Sequence, residues 1–499
     1  MAAIIGIDLG TSFSVVAFLD KTGRPQIVPN RDSNNLTPSC VVQREHDLME
    51  VGEFARRQWG NAPETAAARF KRDMGTSAQY EINGKLFSPT QLSTLVLKKL
   101  YADATLQLGP IGEAVVTIPA NFAHEAREAT LAAAKAAGLN VNFIINEPTA
   151  AALYYAFKHG HELNGIYAVY DFGGGTFDIS IINVVGYDVE VLATNGIAKL
   201  GGDEFDQALQ NIAARKYKEQ TGKAISPDDY TKNHAEEDKK SLSLRKQVTR
   251  RVGRELIDIR RDEFEEAISS FVTQAEMLCE ATIEEAKLSF ADISGTLLVG
   301  GSTRVPIIRE SVERLFGQPP ITSENADEIV ALGAALYSAY KSDKSNLSAA
   351  QRSAISRVTV TEKTGKCFGT YSVGFNAARN ERSIINTIII PKGSVIPCSV
   401  TETFFTMTAG QTAVNCEVTE STAPETDPRF VKLIWHGSLE LPAGRPANQE
   451  LRVTFSYDEN QVMKCSFEDV GTGRRREVDI SNKSSRADDA SEIDQFLVE

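Results

Sequence analysis

Sequence features that are typical of membrane-spanning and secreted proteins are missing from these 499 residues. No stretch approaches the ~20 consecutive apolar residues that a helix needs to cross a bilayer. The first residues carry no basic region and reach Asp8 at once, which is not the pattern of a signal peptide. We therefore expect a cytoplasmic protein with no membrane partner.

Cysteine and histidine are rare, with six of each. No two cysteines form a Cys-x-x-Cys pair, and the histidines do not cluster with the spacing of metal ligands. Free thiols in a reducing compartment are the expectation. The cysteines are Cys40, Cys279, Cys367, Cys398, Cys416 and Cys465.

Basic residues are fewer than acidic residues. The chain has 53 Lys and Arg against 66 Asp and Glu, which gives a formal net charge of −13. A nucleic-acid-binding protein needs a basic face to meet phosphates, so no nucleic-acid partner is expected. Apolar residues, by contrast, make up 42% of the chain. Because the chain is too long for one core, we expect two or more domains.

Strand-like and helix-like stretches alternate over residues 1–341, which indicates an α/β fold. Residues 342–357 are polar and lose the helical period, so they are predicted to form a linker. Residues 358–482 are rich in Thr, Val, Ile and Phe and have frequent turns, which predicts an all-β sandwich. Residues 483–499 are mostly polar and acidic and are predicted to be a disordered tail.

Two glycine-rich turns have the composition of phosphate-binding loops. One is Asp8-Leu-Gly-Thr-Ser12, and the other is Asp171-Phe-Gly-Gly-Gly-Thr176. Glycine lets backbone N–H groups approach phosphate oxygens, and the hydroxyls add donors. The two carboxylates need a cation between them and the phosphates, and hydrated Mg²⁺ is the usual one. A tight hairpin also favours Asp and Gly, so each turn alone is a weak signal, but the pair favours a nucleotide site.

A third glycine turn, Gly300-Gly-Ser-Thr-Arg304, follows a predicted strand and precedes a predicted helix. This position fits close approach to a nucleoside, because the start of a helix presents free N–H groups. A plain strand–helix turn is the alternative.

Five segments together resemble the signatures of DnaK-type chaperones, the seventy-kilodalton heat-shock protein family. They occur in the family's order and at similar spacing, and they are residues 5–11, 146–152, 171–178, 200–206 and 299–306. The resemblance implies an actin-like ATPase domain of two lobes with nucleotide in the cleft, followed by a peptide-binding β-sandwich. It implies an ATP-dependent chaperone that binds extended polypeptide segments and hydrolyses ATP to ADP and phosphate.

Two alternatives use the same fold. The first alternative is a regulatory or scaffold protein that binds one dedicated partner and whose nucleotide state acts as a switch. A small-molecule kinase or a filament protein is disfavoured, because the motifs match the chaperone branch in detail.

By this resemblance, Lys71 positions the attacking water and the γ-phosphate, and Glu147 lies beneath the waters of Mg²⁺. Asp171, Thr176 and Asp178 complete the catalytic group. Asp8 and Asp171 would hold Mg²⁺ through water, and K⁺ is a further implied cation. The residues implied for binding ATP or ADP are Asp8, Gly10, Thr11, Ser12, Phe13, Gly173, Gly174, Gly175, Thr176, Gly201, Gly202, Asp203, Glu236, Lys239, Lys240, Ser243, Gly300, Gly301, Ser302, Arg304 and Asp327.

One position departs from the family, which prefers arginine where Lys240 stands. Lysine stacks less well than a planar guanidinium, so we expect weaker adenine binding. Pro119 and Arg127 resemble the relay that reports the nucleotide state to the second domain; a strand terminator and a surface charge are the alternative interpretations.

The second domain resembles the family more faintly. The resemblance implies a peptide groove, for which the candidates are Val373, Phe375, Phe404, Val414 and Cys416. Plain sandwich core is an equal alternative for these residues. The implied partners are unfolded or extended polypeptides, a J-domain co-chaperone and a nucleotide exchange factor.

The family's linker carries an acidic residue and a leucine run that docks on the ATPase domain, and nothing like this combination appears between Lys341 and Arg357. The helical lid of the family is also missing from the pattern. We therefore expect a divergent chaperone without a lid, in which ATP controls peptide binding weakly.

Overall fold

The computed structural model describes residues 2–44, 48–160, 163–322, 325–356, 358–376, 381–459, 462–479, 493 and 496–499. The chain forms two compact units. The first unit comprises residues 1–360 together with 485–499, and the second comprises residues 361–484.

The first unit mixes strands and helices. Its strands before the second unit are β1 (Ala3–Asp8), β2 (Phe13–Leu19), β3 (Pro25–Val28), β4 (Thr37–Pro38), β5 (Cys40–Gln43), β6 (Leu48–Val51), β7 (Ala66–Ala68), β8 (Tyr80–Ile82), β9 (Lys85–Phe87), β10 (Ile111–Ile118), β11 (Val141–Asn146), β12 (Asn164–Phe172), β13 (Thr176–Val185), β14 (Asp188–Ala198), β15 (Gln247–Val252), β16 (Glu255–Arg260) and β17 (Ile293–Val299). Its helices are α1 (Glu53–Asn61), α2 (Pro89–Leu108), α3 (His124–Ala136), α4 (Glu147–His159), α5 (Gly202–Thr221), α6 (Lys232–Leu244), α7 (Arg261–Glu285), α8 (Pro306–Phe316), α9 (Ile329–Lys341) and α10 (Ala349–Ile355).

Two sheets of similar construction carry the two predicted phosphate turns. In the first sheet, β1 is parallel to β10 and antiparallel to β2, and the turn joins β1 to β2. In the second sheet, β12 is parallel to β17 and antiparallel to β13, and the turn joins β12 to β13. The two turns occupy equivalent positions in their sheets, and both begin with Asp-x-Gly, at Asp8 and at Asp171.

Helices α4 and α9 cross in close contact, and α9 also covers the first sheet. An alanine Cβ at Gly333 would lie 1.7 Å from the Ala150 carbonyl oxygen. A Cβ at Gly6 would lie 2.2 Å from the Ala335 backbone nitrogen. Glycine at these two positions lets α9 approach both α4 and β1, and this packing fixes the strands whose ends carry the turns.

The stretch predicted to be a linker, residues 342–357, belongs to the first unit and contains α10. Ser348 caps this helix by accepting a hydrogen bond from the Gln351 N–H, and Gln351 Nε2 donates to the Leu19 carbonyl at 2.8 Å. Leu347 and Ile355 are buried in the same core as Val358. The sequence does not predict α10, because the few apolar residues of this stretch are separated by serine, lysine and alanine.

The second unit contains two four-stranded antiparallel sheets, in the orders β20-β19-β23-β24 and β22-β25-β26-β27. Side chains of both sheets, such as Phe368 and Trp435 from one and Phe455 from the other, share one apolar core. The strands are β18 (Thr359–Lys363), β19 (Cys367–Asn376), β20 (Glu381–Ile390), β21 (Val395–Ile396), β22 (Cys398–Phe405), β23 (Ala413–Ser421), β24 (Lys432–Glu440), β25 (Glu450–Tyr457), β26 (Met463–Asp469) and β27 (Arg474–Asp479).

A last short strand, β28 (Leu497–Val498), pairs in parallel with β6 of the first unit. We predicted disorder for residues 483–499, so this strand differs from the expectation; residues 483–492, 494 and 495 lie outside the described part of the chain. The apolar residues Phe496, Leu497 and Val498 account for the pairing. Among the described residues, no helix is long and apolar enough to span a bilayer.

Candidate functional site

The first glycine turn is fixed by hydrogen bonds from its own strand and from Ser39. The Gly10 N–H donates to Ser14 Oγ at 3.2 Å, and Ser39 Oγ donates to the Gly10 carbonyl at 2.8 Å. A Cβ at Gly10 would lie 1.9 Å from the Phe13 carbonyl oxygen, so the turn requires glycine there. Asp8, at the end of β1, accepts a hydrogen bond from Thr117 Oγ1 at 2.9 Å.

The second glycine turn is tied to two other loops that the motifs predicted. The Gly202 N–H and Ser302 Oγ both donate to the Gly173 carbonyl, at 3.1 and 2.8 Å. The Asp203 N–H donates to the Gly174 carbonyl at 2.9 Å. The segment around Gly201 and the turn at Gly300 therefore converge on the end of β12.

The two turns face each other at contact distance. A Cβ at Gly174 would lie 2.2 Å from Ser12 Oγ, and one at Gly175 would lie 2.6 Å from the Thr11 methyl carbon. The structure thus brings together the two segments that the sequence pairs as phosphate loops, although about 160 residues separate them.

Four carboxylates and one lysine form a cluster below the turns. Lys71 Nζ lies 2.5 Å from Glu147 Oε1, and the Lys71 side chain is buried. Asp171 and Asp178 occupy opposite positions on β12 and β13, and both are buried. Asp8 joins them electrostatically from the end of β1.

The carboxylates raise one another's pKa values. Removal from solvent, and then Glu147, raises the pKa of Asp8 to about 7 despite Lys71. Burial and Glu147 likewise raise the pKa of Asp178 to about 8. Burial, followed by Glu147, Asp178 and Asp8, raises the pKa of Asp171 well above its ordinary value. The cluster therefore carries more negative charge than Lys71 compensates.

This donor set fits a hydrated Mg²⁺ ion. Magnesium prefers oxygen ligands and keeps several of its waters, so carboxylates can bind it through hydrogen bonds from those waters. In the part of the chain that the structure describes, no group of three carboxylate, histidine or cysteine side chains is arranged to bind an ion directly. Asp8 and Asp171 lie on the two facing hairpins, where an ion between them would neutralise both.

Helix α6 supplies charged side chains to the other side of the first turn. Glu236 pairs with Arg56 at 2.6 Å and with Lys240 at 2.9 Å. Burial alone would raise the pKa of Glu236, but Arg56 and Lys240 hold it at about 2. The Arg56 guanidinium lies 4.8 Å from the centre of the Phe13 ring, and Lys240 Nζ lies 5.8 Å from it. Lys240 thus lies near Phe13, which follows the first turn.

Lys239 and Ser243, which also lie on α6, are the next two residues that the resemblance implies for nucleotide binding. Lys239 Nζ lies 2.7 Å from Asp206 Oδ1 and donates to the Gly202 carbonyl at 2.9 Å. Ser243 Oγ donates to the Lys239 carbonyl. Burial raises the pKa of Asp206 to about 6, although Lys239 counteracts the shift.

The third glycine turn reaches the carboxylate cluster from the end of β17. Gly300 has φ 82°, and a Cβ there would lie 2.8 Å from Asp171 Oδ1. A Cβ at Gly301 would lie 2.9 Å from Asp327 Oδ1. Asp327 also pairs with Arg304 at 2.8 Å, at a partly exposed position. The third turn therefore lies beside the second glycine turn.

Two arginines at this site were not predicted. Arg72 Nη1 lies 3.0 Å from Asp203 Oδ2, and Arg72 Nη2 lies 2.6 Å from Glu204 Oε1. Arg69 pairs with Asp203 and, at 3.4 Å, with Asp206. The arginines flank Lys71, and the acids belong to the motif at residues 200–206, but only the folded chain brings the two segments together.

Arg127 is buried, so the interpretation of this residue as a surface charge is wrong. Its Nε donates to the Phe122 carbonyl at 3.1 Å, and its Nη2 donates to the Ala120 carbonyl at 3.3 Å. The Phe122 N–H in turn donates to the Pro119 carbonyl. Arg127 therefore holds the loop that follows β10.

This loop touches the carboxylate cluster on two sides. The Asn121 backbone lies near enough to Asp178 to lower the pKa of the carboxyl. The Phe122 ring centre lies 5.9 Å from Lys71 Nζ. The loop that Arg127 holds therefore lies beside two of the catalytic candidates.

In the second unit, a cavity of about 900 Å³ opens beside β19, β22 and β23. Val373, Phe404 and Val414 line it. Cys416 does not line the cavity, although it shares a face of β23 with Val414, and its side chain is fully buried in the sandwich core. The Phe375 side chain lies outside the described residues.

Comparison with protein families matches this chain to one of them. The family described as Hsp70 protein matches residues 4–81 and residues 76–499. The matches include the facing turns, the carboxylate cluster and the second unit.

Proposed function

The chain belongs to the Hsp70 family, and we propose that it is an ATP-dependent molecular chaperone that hydrolyses ATP to ADP and phosphate. The observation that carries this proposal is the buried Lys71–Glu147 pair beside two facing glycine turns. The turns offer backbone N–H groups and hydroxyls to a triphosphate, and Lys71 offers a fixed positive charge.

Phosphoryl transfer depends on positioning and charge neutralisation more than on covalent help from the protein. Lys71 cannot swing freely, because Glu147 and the surrounding core fix its ammonium group. Such a fixed cation stabilises charge on the γ-phosphate without reorganising during the reaction. When bound, Mg²⁺ would neutralise the phosphates and the carboxylates around it.

Asp171 and Asp178 act on the attacking water in this proposal. They lie side by side on β12 and β13, and Thr176 starts the strand that carries Asp178. Asp178 is buried beside Asp171, and its ionised carboxylate has the oxygen acceptors that a water needs. Asp178 would therefore orient the water and accept a hydrogen bond from it.

The adenosine would lie between Lys240 and Glu236 of α6 and Arg304 of the third turn. Arg304 is half-exposed, so its planar guanidinium is available to stack on a base. The remaining contacts proposed for the nucleotide are Thr11, Ser12, Phe13, Gly201, Lys239, Ser243, Gly300, Gly301, Ser302 and Asp327. K⁺ stays a prediction.

The cavity of the second unit is the proposed site for extended polypeptide. It combines apolar residues, such as Phe404 and Val414, with the backbone of strands that can pair with a peptide. Val358 and Val360 pack on the core of the first unit immediately before the second unit begins. The weak control of peptide binding by ATP that we expect from the sequence stays a prediction.

A J-domain co-chaperone and a nucleotide exchange factor are proposed as partners on the basis of the family. A cytoplasmic location is supported by the cysteines, because all six are free thiols and five of them are buried.

Single-turnover ATP hydrolysis, with and without an unfolded polypeptide, tests the proposal. We expect hydrolysis in the wild-type chain, acceleration by polypeptide, and loss of hydrolysis in Thr176→Ala. Thr105→Ala is the matched control, because Thr105 is exposed on α2 and its hydroxyl only donates to the Tyr101 carbonyl. Hydrolysis that ignores polypeptide would favour a nucleotide-switched protein with one dedicated partner. Absence of hydrolysis in the wild-type chain would overturn the ATPase itself.

A further inference from the structure

The end of the described chain pairs with an edge of the first unit. Leu497 and Val498 lie opposite Leu48 and Met49 in parallel register. The Val51 N–H donates to the Glu499 carbonyl at 2.8 Å, and the Glu499 N–H donates to the Met49 carbonyl at 2.9 Å. β6 is paired with β5 on its other side, so this segment completes the hydrogen bonding of β6.

Side chains anchor the same segment. Ile493 is 1% exposed and Phe496 is 8% exposed, whereas Leu497 is 73% exposed. The Phe496 ring centre lies 5.7 Å from that of Phe87, and Lys85 Nζ lies 5.2 Å above the Phe496 ring. The side chains of Ile493 and Phe496 therefore enter the first unit, while that of Leu497 on β28 faces solvent.

We propose that Ile493 and residues 496–499 act as a built-in ligand of the β6 edge within the first unit. The occupant of the β6 edge is the chain's own segment, bound within one molecule.

The small size of the contact favours binding within one molecule. A strand of two residues and two buried side chains is a weak interface between separate chains, because association costs translational and rotational freedom. The chain from Asp479 to Ile493 reaches at most about 50 Å when fully extended. A tether of this length gives an effective concentration on the order of millimolar, which is enough to fill a weak site.

The position of the β6 edge gives the attachment a consequence. The sheet order is β28-β6-β5-β7, and Lys71 follows β7 by three residues. The segment thus extends the same small sheet that leads into the proposed catalytic lysine. Release of the segment would expose an unpaired edge on that sheet.

Hydrogen–deuterium exchange of the full chain tests the proposal, with the amides of residues 48–51 as the readout. We expect Phe496→Ala, and a variant that stops at residue 492, to raise exchange at Val51 by about tenfold or more, because the Val51 N–H loses its acceptor. Leu497→Ala is the matched control, and it should leave exchange at Val51 unchanged because Leu497 is exposed.

A labelled peptide of residues 491–499 supplies the second arm. At millimolar concentration it should bind the shortened variant and restore protection at Val51, and it should not bind the full chain, whose edge is filled. Unchanged protection at Val51 in the shortened variant would overturn the proposal, as would equal binding of the peptide to both forms. A full chain that is dimeric by light scattering, and monomeric once shortened, would assign the edge to a second copy and overturn binding within one molecule. None of these readouts depends on ATP hydrolysis.

Discussion

Lys71 Nζ lies 2.5 Å from Glu147 Oε1, and this ion pair is buried beside three further carboxylates. Burying an ion pair seldom adds stability, because desolvation of the two charges offsets their attraction. A buried ion pair surrounded by carboxyl groups with shifted pKa values is instead typical of a functional site. We therefore interpret the pair as a device that fixes the ammonium group for a substrate anion.

Replacing the lysine separates this role from a structural one. In Lys71→Met, we expect single-turnover ATP hydrolysis to fall by about 100-fold or more, since one fixed donor to developing charge is worth about that much. Nucleotide binding, measured by calorimetry, should persist because the glycine turns remain. Lys99→Met is the matched control, because Lys99 forms another buried pair, with Asp103 at 3.0 Å on α2. If both variants lose activity equally, the effect belongs to stability and not to catalysis.

The parts of this site that lie within one short segment were predictable from the sequence. The glycine turn predicted at residues 8–12 joins β1 to β2, where the alternating α/β pattern places it. Each such turn is specified by residues a few positions apart, since glycine is needed where a Cβ would strike the backbone. The same holds for the segment around Asp171.

Contacts between distant segments were not predictable. The pairing of Arg72 with Asp203 and Glu204 joins residues 131 and 132 positions apart, and nothing in the local pattern signals it. Helix α10 was missed because burial of Leu347 and Ile355 depends on the β2 hairpin already being folded. The resemblance implies that Cys416 lies in the groove, whereas its side chain is buried in the sandwich core two residues beyond Val414, which lines the cavity.

Lys240 stands where the family prefers arginine, and the structure places it at the first turn. In Lys240→Arg we expect ATP and ADP to bind about two- to fivefold more tightly, because a guanidinium stacks better on flat groups and pairs with Glu236 through two N–H donors. Competition with a fluorescent adenine nucleotide measures the change. Lys98→Arg on α2 is the matched control, and it should leave affinity unchanged. Equal or weaker binding in Lys240→Arg would show that this position does not contact the base.

The stability of the metal-free protein should depend on pH. Burial raises the pKa of Asp178 from 3.8 to about 8 and that of Asp8 from 3.8 to about 7. Because the folded state favours the protonated carboxyl, this contribution is fully present below pH 4 and is lost as the pH rises through 7 and 8. Urea unfolding at pH 5, 7 and 9 should therefore show a falling free energy of unfolding. The acids with lowered pKa values, such as Glu236 at about 2, titrate below this window.

Asp178→Asn provides the check on that assignment. Its amide cannot ionise, so the fall in the free energy of unfolding between pH 5 and pH 9 should be smaller than in the wild-type chain. Asp292→Asn is the matched control, because Asp292 is an exposed residue whose pKa is lowered by hydrogen bonds from Ser289. A wild-type stability that stays flat from pH 5 to pH 9 would contradict the raised pKa values.

Arg72 joins the segment after β7 to the start of α5 through Asp203 and Glu204, and these residues flank the second glycine turn. In Arg72→Ala we expect ADP to dissociate about tenfold faster, because two partly buried carboxylates lose their cation and the two segments lose their bridge. Stopped-flow release of a fluorescent ADP measures this rate. Arg215→Ala should not change it, since Arg215 is more than half exposed and lies 3.9 Å from Glu219. In Arg72→Lys the rate of ADP release should lie between those of the wild-type chain and Arg72→Ala, because lysine keeps the charge but cannot pair with both acids through two planar N–H groups. If Arg72→Ala releases ADP as slowly as the wild-type chain, the bridge does not restrain the nucleotide.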